Sequence, residues 1–319
     1  MAYVRPVAIR PLSGVKRKKV WWTILKQQKY LFLMVITFVI WILIFKYIPL
    51  WGWTMAFQNY KPWKSFTQQE WVGFKYFIEL FHDADFYRAM KNTIGISILS
   101  FIFGFPLPII LALFLNELRN LKFKRTVQTI SYLPHFVSWV VVASIVFEML
   151  SPSGIVNRLL MSLKFINTPI VFMAEPKYFW WIVVFSDIWK EIGWNSIIFL
   201  AAMAGIDPEL YEAATIDGAS RFKKMWYVTI PGIMSTIIVI LIICIGNFIN
   251  IGFERQFLLR TAATREAADV IDLYILNYGL GAGRFSFGTA AGVFKSIVSL
   301  ILLTFANHFS KKTTGYKII

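Results

Sequence analysis

Six long apolar runs divide the chain, and shorter polar segments separate them. Each run has between 18 and 28 residues, close to the roughly 20 that an α-helix needs to cross the hydrocarbon core of a bilayer. A transmembrane barrel would instead show segments of about ten residues with alternating polarity. The pattern therefore predicts an all-α integral membrane protein with six transmembrane helices. The predicted helices cover residues 31–48, 92–115, 128–150, 178–205, 229–252 and 287–308.

Composition favours the same class. Of the 319 residues, 57% are hydrophobic and 16% are charged, which is far more apolar than an ordinary soluble domain. The basic residues 16–19 precede the first run, as they would in a secretory signal. However, the run is longer than an h-region of roughly 7 to 15 residues, and no small-residue cleavage site follows it. We therefore expect the first helix to be retained.

The distribution of lysine and arginine predicts the orientation. If the N-terminus lies inside, the segments on that side are about twice as dense in these residues as the opposite segments, an excess typical of cytoplasmic loops. We expect a basic cytoplasmic segment at residues 1–30, a six-helix transmembrane domain at 31–310 and a cytoplasmic tail at 311–319. The net charge of +16 then faces anionic lipid headgroups, and we expect no nucleic-acid partner.

A charged, glycine-punctuated segment at residues 207–231 separates the fourth and fifth runs, on the predicted cytoplasmic side. Asp207 and Pro208 form the N-cap and first-turn pair that begins a helix. Gly218 can adopt the left-handed conformation that ends it, and Ser220 can cap a second helix. Pro231 marks the predicted start of the fifth span. The segment therefore predicts a helix, a tight turn and a second short helix.

The same segment resembles the EAA loop of membrane permease subunits in binding-protein-dependent ABC importers. The family pattern is Glu-Ala-Ala, three residues, Gly, nine residues, and then Ile-x-Leu-Pro. Val228 and Ile230 stand in place of the isoleucine and the leucine. The resemblance covers roughly residues 30–310, the six-helix core of type I importers. The coupling residues that it implies are Glu212, Ala213, Ala214, Asp217, Gly218 and Pro231.

The resemblance also implies partners. The EAA loop would form a coupling helix that docks on a dimer of cytoplasmic ABC ATPases, and a second permease subunit would complete the pathway as a heterodimer. An extracytoplasmic solute-binding protein would deliver the substrate. The ATPase would use ATP and magnesium, because this chain has no Gly-x4-Gly-Lys-Ser/Thr loop with which to bind nucleotide phosphates. We expect the chain itself to bind no cofactor and no metal.

Polar residues inside the apolar runs indicate where a substrate could pass. Charged side chains in the hydrocarbon core cost roughly 2.5 to 3.5 kcal/mol each, so they usually face a cavity or the bundle interior. In the fourth run, the spacing predicts an internal ion pair between Asp187 and Lys190. Aromatic faces stack on sugar rings while carboxylates and amides bond hydroxyls, so this mixture suits a sugar. The candidate pathway residues are Asp187, Lys190, Glu191, Trp194, Asn195, Asn247, Asn250 and His135.

Two polar sets in other runs have a second interpretation, as hydrogen bonds between helices. One set is predicted to share a face near the outer end of the fifth span, and the other lies along the third span. Lys295, in the sixth run, is interpreted as the partner of an acid such as Glu148 or Asp187. The two sets are Gly246, Asn247 and Asn250, and Ser131, His135 and Ser138.

The substrate class is suggested by a further resemblance. Residues 47–52, Tyr-Ile-Pro-Leu-Trp-Gly, resemble the sugar branch of the family, in particular permeases for oligosaccharides derived from plant or algal polysaccharides. Lys190 and the outer arginines Arg255, Arg260 and Arg265 would favour an acidic sugar. The expected function is therefore import of an oligosaccharide across the cytoplasmic membrane by a transport subunit that is not itself an enzyme.

Three alternatives stay open. The first is an ABC importer permease for another small solute, such as an amino acid or an inorganic anion. The second is an ion-coupled secondary transporter that uses the charged fourth run, although such transporters often show internal repeats and this sequence shows none clear enough to use. The third is a membrane-embedded enzyme, which is disfavoured because the three histidines, His82, His135 and His308, are scattered and Cys244 is the only cysteine.

Overall fold

The computed structural model of the protein describes residues 27–314. The basic residues 16–19, most of the predicted N-terminal segment and the last five residues of the predicted tail lie outside the described residues. The chain divides into two units, Met1–Thr54 and Met55–Ile319.

The described part of the first unit is one apolar helix. α1 covers Lys29–Ile42, continues through a π-helical turn at Leu43–Tyr47 and passes into a 3-10 stretch at Ile48–Phe57. Most of its large side chains between Tyr30 and Trp53 are exposed, as expected of a helix whose surroundings are lipid or other helices.

The second unit is mostly helical, with one short antiparallel pair of strands, β1 and β2, in which Gln58 pairs with Trp71. Its strands are Gln58–Asn59 and Glu70–Trp71. Its helices are α2 Lys75–Leu80, α3 Ala84–Leu99, α4 Pro106–Glu117, α5 Leu121–Tyr132, α6 Trp139–Met149, α7 Ile155–Ser162, α8 Pro176–Ala204, α9 Pro208–Ile216, α10 Arg221–Lys224, α11 Ile230–Gly232, α12 Met234–Gly246, α13 Glu254–Leu259, α14 Arg265–Ala268, α15 Ile271–Tyr274 and α16 Phe285–Thr314. The 3-10 turns are Phe66–Gln68, Leu133–Phe136 and Phe172–Ala174, and the π-helical segments are Ser100–Gly104, Met225–Thr229 and Ile275–Gly281.

The second predicted span is one long helical segment with a π-helical turn in its middle. α3 passes through Ser100–Gly104 into α4 without a break, and Pro106 begins α4. A proline has no backbone N–H to donate to the preceding turn. The wider π-helical turn accommodates the missing hydrogen bond, and such turns often lie at functional sites.

The third predicted span is not a continuous helix, so that prediction was wrong. α5 and the 3-10 turn at Leu133–Phe136 meet α6 at an angle of 106°. Val137 and Ser138 are extended, and the Ser138 hydroxyl accepts a hydrogen bond from Val141 N at 3.4 Å, which caps α6. Pro134 cannot donate a main-chain hydrogen bond, and the serine supplies a new helix start four residues later.

The fifth predicted span also differs from the prediction. Its helical segment begins at Arg221 rather than near Pro231, and it bends by 63° after Gly232, before α12. The helix then ends at Gly246, so Asn247 and Asn250 lie beyond its end. The predicted shared face for these residues is therefore wrong, since helical spacing applies only within a helix.

α8 lies at the centre of the second unit and packs against α3, α4, α5, α13 and α14. Its buried residues Phe179, Val183 and Val184 join Ile96 of α3 and Leu273 of α15 in the largest apolar core. Because one helix contacts so many neighbours, polar residues near its middle, such as Ser186 and Lys190, are buried.

By length and composition, three described helical segments could cross a membrane: Lys29–Phe57, Ala84–Glu117 and Phe285–Lys312. The number rises to five if each of the two bent pairs in the described chain forms one span. α8 has 29 residues, or about 44 Å of helix, yet it carries three charged residues near its middle. A sixth span would require α8, with that charged centre shielded by neighbouring helices.

Tyrosine hydroxyls tie the segment before α16 to the start of α3. Tyr274 donates to Asp83 Oδ2 at 2.7 Å, and Tyr278 donates to Asp85. The hydrogen bond to the Asp85 carboxylate, together with burial, raises the pKa of Tyr278 to about 12, because both favour the neutral phenol.

Candidate functional site

One face of α8 carries the polar residues that line a cavity. Asp187, Glu191 and Asn195 are four residues apart and so lie on the same side of the helix. They form one wall of a cavity of about 230 Å³, and Asn247 lies opposite, after the end of α12. The other walls are mainly apolar and aromatic, from α3, α4 and the π-helical turn between them, and include Phe101, Phe105, Pro108 and Phe248.

Two serines in the same cavity were missed by the sequence analysis. Ser97 donates to the carbonyl oxygen of Phe248 at 2.5 Å, and the Ser100 hydroxyl is buried without a hydrogen-bond partner. A buried polar atom usually has a partner, so Ser100 offers an unused hydroxyl at the cavity wall. The only sequence signal was two serines three residues apart in an apolar run.

The carboxylates of the cavity face are paired, but not as predicted. Asp187 Oδ1 lies 2.5 Å from Arg255 Nη1, whereas Lys190 Nζ lies 3.2 Å from Glu191 Oε1. The predicted pair between Asp187 and Lys190 is thus replaced by a contact with α13, 68 positions further along the chain. The second oxygen of Glu191, Oε2, is 2.7 Å from His135 Nδ1.

Lys190 lies on an adjacent face of α8, buried against the broken third span. Its Nζ donates to the carbonyl oxygen of His135 at 2.5 Å and lies 5.9 Å from the centre of the Trp139 ring. The 3-10 turn at Leu133–Phe136 makes this carbonyl available, because few of its oxygens are used by following helical N–H groups. The break in the third span therefore gives a buried lysine its main-chain partner.

His135 and Trp194 stack on one another beside this lysine. Their ring centroids are 4.2 Å apart and the planes are 2° from parallel, while Phe136 meets Trp194 edge-on. The other two polar residues of the third span have different roles: Ser138 caps α6, and the main chain of Ser131 packs against Gly193 of α8. The structure thus brings His135 to Glu191 but separates it from the two serines.

The predicted pathway residues divide into two groups. Among the described residues, four of the eight line the 230 Å³ cavity: Asp187, Glu191, Asn195 and Asn247. Asn250 instead donates to Ser299 Oγ on α16 at 3.0 Å, as the interhelical interpretation predicted. Lys295 pairs with Asp272, so both partners predicted for it, Glu148 and Asp187, were wrong.

A second cavity, of about 550 Å³, shares Asp187 and Ile251 with the first. Its remaining wall is the segment Gly252 to Arg255 together with Trp139 of α6. Gly252 has a φ of +73°, a conformation that favours glycine, and it turns the chain so that α13 begins beside α8. Of the three outer arginines considered from the sequence, Arg255 reaches this site, whereas Arg260 lies over Phe257 and Arg265 lines a different cavity.

Residues 207–224 of the charged segment fold as the sequence predicts. Asp207 Oδ1 accepts a hydrogen bond from Glu209 N at 3.0 Å and caps α9, and Gly218 ends the turn with a φ of +72°. Ser220 caps α10 by accepting from Lys223 N at 3.4 Å. The prediction of a helix, a tight turn and a second helix is confirmed.

Side-chain contacts hold α9 to the helical segment of the fifth span, which begins at Arg221. The Tyr211 hydroxyl lies 3.0 Å from Thr229 Oγ1, and Lys224 Nζ donates to Thr215 Oγ1 at 2.5 Å. Thr229 is buried, while Glu212, Ala213, Asp217 and the nearby Ile216 are exposed and Ala214 is half-buried. One side of α9 is thus fixed to the bundle and the other is free to meet another molecule.

Solved structures define the class to which this architecture belongs, the type I ABC importer permease fold. A chain in the crystal structure of a bacterial ABC transporter involved in the import of the acidic polysaccharide alginate matches with a TM-score of 0.84 and 43% sequence identity, over 92% of this chain and 99% of that chain. A chain in a bacterial alginate ABC transporter in complex with alginate pentasaccharide-bound periplasmic protein matches with the same TM-score and identity, over 93% and 99% of the two chains.

Sequence comparison gives the family. Residues 104–315 match the model described as the binding-protein-dependent transport system inner membrane component, and the chain belongs to this family. Two proteins of Bacillus subtilis (strain 168) are each 46% identical to it: Protein LplB, over 92% of both chains, and the polygalacturonan/rhamnogalacturonan transport system permease protein YteP, over 90% of this chain and 89% of that protein. The chain is therefore a membrane permease subunit of an ABC importer, a transport component rather than an enzyme, as the EAA resemblance implied.

Proposed function

We propose that this chain lines the pathway through which an ABC importer moves an oligosaccharide across the cytoplasmic membrane. The observation that carries the proposal is the polar face of α8, where carboxylates and an amide line a cavity whose other walls are largely aromatic and apolar. A few placed polar groups in an apolar pocket are typical of small-molecule sites. The names of the relatives, which refer to polygalacturonan, rhamnogalacturonan and alginate, support a sugar substrate.

The segment at residues 207–231 is the proposed dock for the ATPase. Its exposed apolar side chains support this role, since Ile216 is 86% exposed and Phe222 is 71% exposed, and exposed apolar patches mark interaction sites. The small side chains of Ala213 and Ala214 allow a partner to approach the backbone closely. The proposed coupling residues are Glu212, Ala213, Ala214, Asp217, Gly218 and Pro231.

Movement of the ATPase then reaches the cavity through contacts within this chain. When ATP binding closes the two ATPase subunits, the docked α9 is displaced. The contact between Tyr211 and Thr229 passes the displacement to the fifth span, whose outer end carries Asn247 at the cavity. Displacement of Asn247 relative to Asp187 on α8 opens the cavity to one side of the membrane or the other.

The proposed assembly contains this chain, a second and similar permease subunit, two ATPases that use ATP and magnesium, and an extracytoplasmic binding protein. The periplasmic protein bound in the similar alginate transporter supports the last of these. α8 is the proposed additional span, which gives six, and residues 1–30 and 311–319 are placed in the cytoplasm at the ends of a single permease domain at 31–310.

The test is uptake by the complete importer in liposomes loaded with ATP, with labelled galacturonate oligosaccharides as the substrate. We expect uptake to require ATP and the binding protein. Glu212→Lys should abolish uptake and release the ATPase during purification, while the binding protein keeps its affinity for the sugar. The control is Glu175→Lys, which makes the same charge change just before the N-terminal end of α8, whereas Glu212 follows its C-terminal end. This variant should leave uptake intact.

Two results would overturn the proposal. One is uptake that persists without ATP and collapses with an ionophore, which would indicate a secondary transporter. The other is normal ATP-driven uptake in the Glu212→Lys variant, which would exclude the segment as the dock.

A further inference from the structure

The second cavity is built like a site for one unit of a charged sugar. Trp139 offers an aromatic wall, Arg255 and Glu254 offer charged groups, and Gly252 leaves the backbone accessible. Asp187 and Ile251 belong to both cavities, so the 550 Å³ cavity adjoins the 230 Å³ cavity through these two residues. Asp187, the partner of Arg255, therefore borders both cavities.

The guanidinium of Arg255 has unused hydrogen-bonding capacity. Its side chain is 12% exposed, and Nη1 contacts Asp187 Oδ1 at 2.5 Å. Nε is buried without a hydrogen-bond partner. A guanidinium presents five N–H donors in a planar fork that matches a carboxylate. A single oxygen of Asp187 therefore satisfies only part of what Arg255 can donate.

We propose that Arg255 is the residue through which this permease selects sugars that carry a carboxylate, by exchanging Asp187 for the carboxylate of a uronate unit. This inference rests on the proposed function, oligosaccharide import, and adds the substrate class. The uronate carboxylate accepts two parallel N–H bonds from Arg255. The freed Asp187 carboxylate then accepts hydrogen bonds from sugar hydroxyls in the cavity that it also lines.

A neutral sugar cannot make the same exchange. Its hydroxyls carry no charge, so displacement of Asp187 by a hydroxyl would leave a largely buried guanidinium without a counter-ion, which is strongly unfavourable. A uronate carboxylate keeps the guanidinium neutralised, and the Asp187 carboxylate that it displaces is the more exposed partner, at 27% against 12% for Arg255, so it can be solvated in the cavity. Selection therefore arises from the charge of the arriving group rather than from the size of the cavity.

The experiment compares two substrates that differ only in that charge. Labelled tri-galacturonate and its fully methyl-esterified form are supplied separately to the complete importer in liposomes, and the ratio of their uptake rates is measured. The binding protein is the same for every permease variant, so its own preference cancels when the ratio for a variant is divided by the ratio for the wild type.

The main variant is the double substitution Asp187→Asn with Arg255→Gln, which removes both charges and keeps both side chains polar. We expect its ratio of acid to ester uptake to fall about tenfold or more, as for the loss of one charge-assisted hydrogen bond. Arg255→Lys keeps the ion pair but loses the planar pair of N–H donors that matches a carboxylate, so its ratio of acid to ester uptake should also fall. It provides an independent test if the double variant fails to assemble. Arg284→Gln removes an equal charge from an arginine that pairs with Glu79 and should leave the ratio unchanged.

The outcomes separate this inference from the proposed function. An unchanged ratio in the double variant or in Arg255→Lys, with both sugars still imported, overturns the role of Arg255 and leaves oligosaccharide import standing. An importer that hydrolyses ATP but takes up neither sugar overturns both. A reduced ratio confined to the Asp187 and Arg255 variants supports the exchange.

Discussion

The hydroxyl of Tyr211 lies 3.0 Å from that of Thr229, which joins the exposed helix α9 to the buried start of the fifth span. Thr229 is 1% exposed, so the contact lies on the buried side of α9 rather than on its exposed surface. A bond at this position can transmit a displacement of α9 without taking part in the docking itself.

Removal of this bond should weaken coupling and leave the ATPase attached. In Tyr211→Phe, we expect the amount of sugar imported per ATP hydrolysed to fall about threefold to tenfold, the loss of one ordinary hydrogen bond. Thr229→Val should have the same effect, since it removes the other partner. Tyr227→Phe, at a tyrosine that is 73% exposed, is the control. An unchanged import-to-hydrolysis ratio in both variants would show that the bond does not transmit movement.

Lys190 should contribute strongly to stability. Lys190→Met leaves the His135 carbonyl without its donor and removes the cation beside Glu191, and the loss of one partner of a buried pair costs about 3 kcal/mol or more. The difference in the free energy of unfolding in detergent between the wild type and Lys190→Met measures this cost. Lys177→Met, at a lysine of the same helix that is 66% exposed, should change it by about 0.5 kcal/mol or less. Equal effects of the two substitutions would contradict the buried role of Lys190.

Gly193 is needed because α8 and α5 touch through their backbones. A Cβ at this position would lie 2.0 Å from the carbonyl oxygen of Ser131, so Gly193→Ala must push the two helices apart, at a cost of about 1–3 kcal/mol. The matched control is Gly292→Ala in α16, where a Cβ meets nothing within 4 Å and improves helix propensity. In thermal unfolding, the Tm of Gly193→Ala should lie below that of the wild type and the Tm of Gly292→Ala above it. An unchanged Tm for Gly193→Ala would disprove the close contact.

Local features were predictable from the sequence, and contacts between distant segments were not. Asp207, Gly218 and Ser220 predicted the caps and the turn correctly, because each acts on backbone within four residues of itself. The sharpness of the break near Pro134 was not predicted, because the surrounding residues are apolar and keep the run continuous. A hydropathy pattern cannot distinguish one straight helix from two helices that meet at 106°.

The same limit explains the errors in the ion pairs. Spacing within a helix suggested Lys190 for Asp187, but the partner is Arg255, and Lys295 pairs with Asp272 rather than with Glu148. Each observed partner lies on a different helical segment, and its distance depends on how the segments pack. The sequence shows which residues are charged but not how the helical segments pack. It therefore identified the face of α8 that lines the cavity, but not the counter-ions of the carboxylates on that face.

The pH dependence of stability should show the contact between Tyr278 and Asp85. The raised pKa means that the neutral phenol is stabilised by folding, so this contribution is complete below pH 10 and is lost as the pH rises through about 12. Tyr278→Phe should lower the free energy of unfolding by about 1 kcal/mol at neutral pH and reduce the loss in this alkaline range, to which Tyr274 also contributes because burial and the hydrogen bond to Asp83 raise its pKa. Tyr47→Phe, at an exposed tyrosine, serves as the control. The same alkaline loss in wild type and Tyr278→Phe would rule out the contact.

Both carboxylates of the α8 cavity already have a cation beside them, Arg255 for Asp187 and Lys190 for Glu191. The cavity face of α8 therefore has little net charge of its own, although the whole chain is strongly basic. A passage must hold its cargo firmly enough to admit it and loosely enough to let it go. A wall with excess positive charge would bind an anionic sugar too tightly to release it. A wall whose charges are paired binds the sugar with similar strength at successive positions. In the proposed pathway, the paired carboxylates would thus favour turnover over retention.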